Sequence, residues 1–219
     1  MNLQDYILND LTILVPEDTI ETSKEKTKNQ RASHFPIIKE QRLLGAISER
    51  DLSTLEHLSQ TISKYQYSFE FFFAIEEDTL LELDTLFSIH EATILPVINK
   101  QKEYIGFYEL NDILSLFAET PYINEEGIIL ILEKDITTYS ISEITQISET
   151  NNASICGLYI SKKTEKNIEI TLKIKTENIN EVIQSYRRYE YHVISNHEDD
   201  SYLEELKNRS NYLQKYLNI

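Results

Sequence analysis

Glycine is scarce in this chain: four among 219 residues, at Gly45, Gly106, Gly127 and Gly157. No two lie close together, so no glycine-rich loop can cradle a phosphate, and the dinucleotide and nucleoside-triphosphate fingerprints are absent. Cysteine occurs once, as Cys156, which excludes an internal disulfide framework and a cysteine-rich metal site. Within the apolar run Ile155-Cys156-Gly157-Leu158 it is expected to be a buried structural thiol. No apolar stretch approaches the roughly 20 residues that span a bilayer. The first residues, Met1-Asn2-Leu3-Gln4-Asp5-Tyr6, lack the basic and apolar parts of a signal peptide, so a cytoplasmic location is expected. Positive charge is also in short supply: 21 Lys and Arg against 37 Asp and Glu leave a net charge of −16. Such a surface repels phosphate backbones and anionic lipid, so neither nucleic acid nor a membrane is an expected partner. The five histidines, His34, His57, His90, His192 and His197, show no metal-ligand spacing. No carboxylate is paired with an acid or base partner in an apolar setting. Neither a metal nor enzymatic chemistry is expected.

What the chain does have is one message written twice. Asp18-Thr19-Ile20, Phe35-Pro36-Ile37-Ile38 and Gly45-Ala46-Ile47-Ser48-Glu49-Arg50-Asp51 return as Asp78-Thr79-Leu80, Leu95-Pro96-Val97-Ile98 and Gly106-Phe107-Tyr108-Glu109-Leu110-Asn111-Asp112. Thr19 to Thr79 and Pro36 to Pro96 are each 60 positions, while Gly45 to Gly106 and Asp51 to Asp112 are each 61. One inserted residue between the proline and the glycine accounts for the drift. A duplicated unit of this length predicts two copies packed face to face, each burying the other's apolar side.

Each copy predicts strand, helix, strand, strand, helix. The Asp-Thr pairs are good helix caps, and Thr79-Leu80-Leu81-Glu82 has capping-box spacing. Leu80, Leu83 and Phe87 recur at helical spacing, whereas Glu21 to Gln30 is almost wholly polar and predicts a short or solvent-exposed helix. The aromatic-rich stretch from Ser59 to Ala74, with Phe69-Glu70-Phe71-Phe72-Phe73, is expected to pack against the repeats rather than swing as a linker.

Past Glu119-Thr120-Pro121-Tyr122 the pattern changes. Ile128 to Leu132 predicts a buried strand, Ser140 to Glu149 a helix, Ala153 to Ser161 a strand, and Asn167 to Lys175 a half-buried strand. Ile179 to Tyr189 predicts a helix and Tyr191 to Ser195 a last strand. The order β-α-β-β-α-β is ferredoxin-like. The tail from Asp199 to Ile219 spaces Leu203, Leu206, Leu213 and Leu217 as a docking helix. The expected fold class is α+β, with a repeat pair over 1–120 (copies of about 1–58 and 59–120), a second domain over 127–196 and a terminal helix over 199–219.

The repeat, with its Pro-Ile/Val-Ile, its Gly six residues before an Asp and its upstream Asp-Thr, resembles a tandem pair of CBS domains (cystathionine-β-synthase type) over residues 1–120. The element order of 127–196 resembles an ACT domain, and the combination is similar to acetoin-utilisation-type proteins of bacteria. The resemblance implies a sensor that performs no chemistry. Its implied ligand is an adenosine type such as AMP, ATP or S-adenosylmethionine, with a homodimer and a regulated partner protein. It places Ser48 and Asp51, after Gly45, at phosphate and ribose, with Asp112 as the second copy's equivalent. Two readings stand side by side for Ser48 and Asp51: ligand contact, or a capping pair that serves only its own helix. Glu109 stands where the second copy needs a hydroxyl and would repel a phosphate. His34, two residues before Pro36, has two readings: a ligand contact facing the cleft, or, ahead of it, a packing histidine. The loop Glu133 to Thr138 lacks the glycine that amino-acid-binding ACT domains carry, so that half is expected to serve dimerisation. The alternative for the whole chain is a scaffold whose ligand sites have decayed.

Overall fold

A computed structural model describes residues 2–194. The expected tail helix over 199–219 lies outside the described residues. The chain divides into two units, one of Met1–Glu119 and one beginning at Thr120.

In the first unit, α1 (Ile20–Thr27), β1 (His34–Lys39), β2 (Arg42–Ser48) and α2 (Glu49–Thr54) make the first copy. After a 3-10 segment at Ile62–Ser68 and the short β3 (Phe69–Glu70), the second copy follows: β4 (Ala74–Ile75), α3 (Leu80–Ile89), β5 (Ile94–Ile98), β6 (Tyr104–Glu109) and α4 (Leu110–Ala118). The copies match in register. Ile37 faces Gly45 across an antiparallel pair as Val97 faces Gly106, and both ladders shift at the next residue. Leu14 bridges Ile37 in parallel as Ala74 pairs with Val97. The inserted residue sits in the hairpin turn. Glu40 and Gln41 turn the first copy with φ of 49° and 65°. The longer Asn99–Glu103 turn is organised by Asn99 Oδ1, which accepts from the amides of Gln101 and Glu103 at 2.9 Å.

The repeated Asp-Thr has a local reason. Asp18 accepts from the Val15 amide and Asp78 from the Ile75 amide, both at 2.9 Å, closing the turn before each helix. Thr19 then accepts from the Thr22 amide at 3.1 Å, while Thr79 and Glu82 form the capping box.

The polar first helix is short, as expected, but one face is buried: Ile20, Ser23 and Thr27. It is held by polar tertiary bonds. Lys24 Nζ donates to the carbonyls of Ser53 (2.9 Å) and Leu55 (2.7 Å) at the C-terminal end of α2, and Lys26 pairs with Asp18 at 2.7 Å.

Each three-stranded sheet, β1-β2-β3 and β4-β5-β6, borrows from the segment leading into the other copy. Phe69–Glu70 pairs with β2, and Leu8 bridges Phe107 on β6. The cores interlock accordingly. Ile94 and Phe107 join the first copy's cluster around Phe35, Ile37 and Ile47, and Ala46 joins the second copy's cluster around Leu83, Leu95 and Ile113. Each fully buried aliphatic or aromatic side chain contributes about 1.5–3 kcal/mol, so neither half keeps its core alone.

In the second unit, α5 (Pro121–Asn124) is followed by β7 (Ile128–Asp135), α6 (Ile141–Thr150), β8 (Ser154–Lys163), β9 (Asn167–Lys175), α7 (Ile179–Arg188) and β10 (His192–Val193). The sheet runs β10-β7-β9-β8, antiparallel throughout. Leu130, Leu132, Ile170 and Leu172 pack on Ile144, Ile147, Val182 and Tyr186 from the helices. Two expectations are corrected. Ile128 to Leu132 is not buried throughout: Ile129 is 51% exposed, because the helices cover one face only. Asn167 to Lys175 is buried beyond one face, since Thr171 and Lys173 are covered and Lys173 Nζ donates to the Ile123 carbonyl of α5 at 3.0 Å.

Candidate functional site

The two copies meet where their closing helices begin. Ser33 and Thr93, 60 positions apart, exchange bonds: the Ser33 amide donates to Thr93 Oγ1 at 2.9 Å, and the Thr93 amide to Ser33 Oγ at 2.7 Å. Their carbonyls accept from the first residue of each helix, Glu49 onto Ser33 at 2.8 Å and Leu110 onto Thr93 at 2.9 Å. A pseudo-twofold relation therefore ties the starts of α2 and α4 to one junction.

The four expected site residues distribute around it unequally. Ser48 Oγ accepts from the Asp51 amide at 2.9 Å, so its oxygen caps α2. Asp51 and Asp112 occupy equivalent first-turn positions of α2 and α4, where the helix dipole favours a carboxylate. Neither carboxylate makes a hydrogen bond or ion pair among the described residues, so both remain available to a donor. Glu109, at the position equivalent to Ser48, makes no side-chain cap bond. His34 is 5% exposed and engaged on both ring nitrogens: Nδ1 lies 2.8 Å from Ser33 Oγ and Nε2 3.3 Å from Glu70 Oε1. Its ring also meets Phe72 edge to face at 5.1 Å. His34 thus links β3 to the Ser33–Thr93 junction, which is the packing role.

A separate cavity of about 430 Å³ opens at the opposite, hairpin end of the same unit, and none of the four residues lines it. Leu43 and Ile98 supply part of its apolar wall, together with Phe71, Phe73 and Ile75; Arg42, Lys100 and Lys102 stand among them. Tyr104 packs on the Ile38, Leu43 and Ile98 cluster, and burial pushes its phenol up to about 12. Sequence reasoning missed this site. The signal was the alternation in Phe71-Phe72-Phe73 between β3 and β4: Phe72 turns into the core at 3% exposed, while Phe71 on one side of it is left largely in water.

Beside the cavity, Asp78 is raised above the usual carboxylate range by burial, against the lowering effect of its bond from the Ile75 amide. The Tyr108 hydroxyl is raised by burial and then by the charges of Asp78 and Glu76, and it is buried without a partner. Among the described residues no cluster of three or more His, Cys, Asp or Glu side chains could hold a metal ion, and no helix is long and apolar enough to cross a membrane.

The chain is similar to known proteins over about half of its length. A CBS domain pair/ACT domain protein from Thermotoga maritima is 20% identical over 54% of this chain and 98% of its own, with a TM-score of 0.49. The CBS domains of a transcriptional regulator from Streptococcus pneumoniae are 18% identical over 52% of this chain and 98% of theirs, with a TM-score of 0.46. CBSX2 in complex with AMP is 18% identical over 54% and 96%, with a TM-score of 0.44. Residues 3–57, the first of the two copies, match the family model for the CBS domain.

Proposed function

We propose that this chain is a regulatory ligand sensor without enzymatic activity: a CBS pair over residues 1–120 that takes an adenosine-type nucleotide or nucleoside. The observation that carries this reading is the equivalent placement of Asp51 and Asp112. Both are unpartnered, and both sit on helices whose first amides bond the Ser33–Thr93 junction. A carboxylate in that place can accept from both ribose hydroxyls. A ligand held there touches the seam between the copies and favours one relative arrangement of them, which is a population shift. Asp51 belongs to the stronger site. In the second copy Glu109 brings a negative charge to the position of Ser48, so Asp112 suits a nucleoside or a weakly charged ligand.

The second unit is proposed to be an ACT-like module that pairs two copies in the cytoplasm and carries the signal to a regulated protein, the module order resembling acetoin-utilisation-type proteins. One observation favours the rival reading, a scaffold without ligand: Ser48 Oγ and both His34 nitrogens are already satisfied within the protein. Calorimetric titration with AMP, ATP and S-adenosylmethionine separates the two. Binding that Asp51→Ala abolishes, with the unfolding transition unchanged, supports the sensor. No heat from any of the three at millimolar concentration supports the scaffold.

A further inference from the structure

We propose that the cavity at the hairpin end of the first unit is a second binding site, one for a small planar aromatic anion. Its volume of about 430 Å³ falls within the range of about 300–1,000 Å³ typical of small-molecule pockets. The wall supplies a seat for a ring. Phe71 and Phe73 stand edge to face with centroids 5.4 Å apart, and Ile75 and Leu43 continue the apolar surface. Phe71 is 66% exposed, a large apolar side chain left in water beside a concave site.

The charge at the rim selects the ligand's sign. Lys100 is engaged by Glu77 and its ammonium is held above the usual lysine range by that bond. The Arg42 guanidinium and the Lys102 ammonium make no hydrogen bond or ion pair with any described residue. Glu76 is the remaining carboxylate, and its field falls on the Tyr108 hydroxyl. Three cations therefore face two carboxylates on a chain whose net charge is −16. Two uncommitted cations lining the same cavity as paired phenyl rings match a ring that bears a carboxylate, sulfonate or phosphate.

The copies have diverged at these positions. Phe71 and Phe73 correspond to Leu11 and Ile13, and Arg42 to Glu103, while the Asp-Thr and Gly positions are the same in both. The aromatic and cationic features thus occur at one of the two pseudo-equivalent places and are not a by-product of the duplication. The cavity also straddles the seam. Arg42 and Leu43 come from the first hairpin and the other lining residues from the second copy, and the Tyr104 amide already donates across to the Gln41 carbonyl at 2.7 Å.

The test titrates the full chain with 2-naphthalenesulfonate and with 2-naphthol, its neutral counterpart, by calorimetry. The sulfonate should bind more tightly. The double variant Arg42→Gln/Lys102→Gln should weaken it by about tenfold and leave 2-naphthol unchanged. Phe71→Ser, at an exposed position, should weaken both. Asp51→Ala should leave the sulfonate unaffected, which separates this site from the one proposed for adenosine-type ligands. Equal sulfonate affinity in the double variant, or loss of binding in Asp51→Ala, would overturn the assignment.

Discussion

Replacing each repeat glycine with alanine tests the strand exchange that completes both sheets of the first unit. Gly45 and Gly106 have φ of +147° and +146°. That region is essentially reserved to glycine and costs other residues about 1–3 kcal/mol, so both alanines should destabilise. Their surroundings differ. A methyl at Gly45 would stand 3.1 Å from the Glu70 carbonyl oxygen and 3.1 Å from Phe69 Cβ, contacts that small shifts relieve. At Gly106 it would stand 2.6 Å from Ile7 Cγ2 and closer still to the Leu8 carbonyl oxygen, a backbone atom fixed by its ladder bonds to Phe107. Overpacking of that kind adds about 1–3 kcal/mol. Gly106→Ala should therefore cost more than Gly45→Ala by this amount. Urea unfolding should show it as a midpoint lower by about 1 M, given slopes of about 1–3 kcal/mol per molar. Hydrogen exchange gives the local readout: the Leu8 and Phe107 amides, which bond each other's carbonyls at 2.9 Å, should lose protection in Gly106→Ala and keep it in Gly45→Ala. An equal or larger loss in Gly45→Ala, or unchanged protection at Leu8 and Phe107, would refute the reasoning.

Two buried tyrosines should respond oppositely to removal of their hydroxyls. Tyr186 Oη lies 2.6 Å from Ser148 Oγ and donates to the Ile144 carbonyl at 3.0 Å, so Tyr186→Phe should cost about 1–2 kcal/mol; Tyr108 Oη has no partner, so Tyr108→Phe should be neutral or stabilising. Thermal unfolding of the two variants checks the pair, and a Tyr108→Phe loss above that of Tyr186→Phe contradicts it. Glu143 is held below its ordinary value of 4.5 by its bond from Lys134 Nζ and then by that from Tyr191. Its stabilisation is present above 4.5 and is lost as pH falls through the lowered folded-state value. For an ion pair this accessible the amount is about 0.5–1 kcal/mol. Urea midpoints of Glu143→Gln measured from pH 3 to 7 should fall less steeply in acid than those of the parent chain; parallel curves would exclude the contribution.

Local chemistry made much of the fold legible. Asp-Thr sets a turn and a cap within five residues, so both helix starts could be placed from sequence alone. The hydrophobic spacing of Leu83 and Phe87 named the buried face of α3 because that helix meets one apolar surface. The polar helix α1 was less legible: its stability comes from Lys24 reaching carbonyls 29 and 31 positions away, which no local pattern encodes.

At the site the division is similar. The sequence by itself determined the duplication, the equivalence of Asp51 with Asp112, and the position of the extra residue between proline and glycine. Only the tertiary structure decided that Ser48 is used by its own helix, that His34 is spent on Ser33 and Glu70, and that a cavity opens at the hairpin end rather than among those residues. Spacing along a chain fixes which groups recur. Which of them stay free depends on partners brought in from the other copy, and the strand exchange that brings them is a long-range packing event.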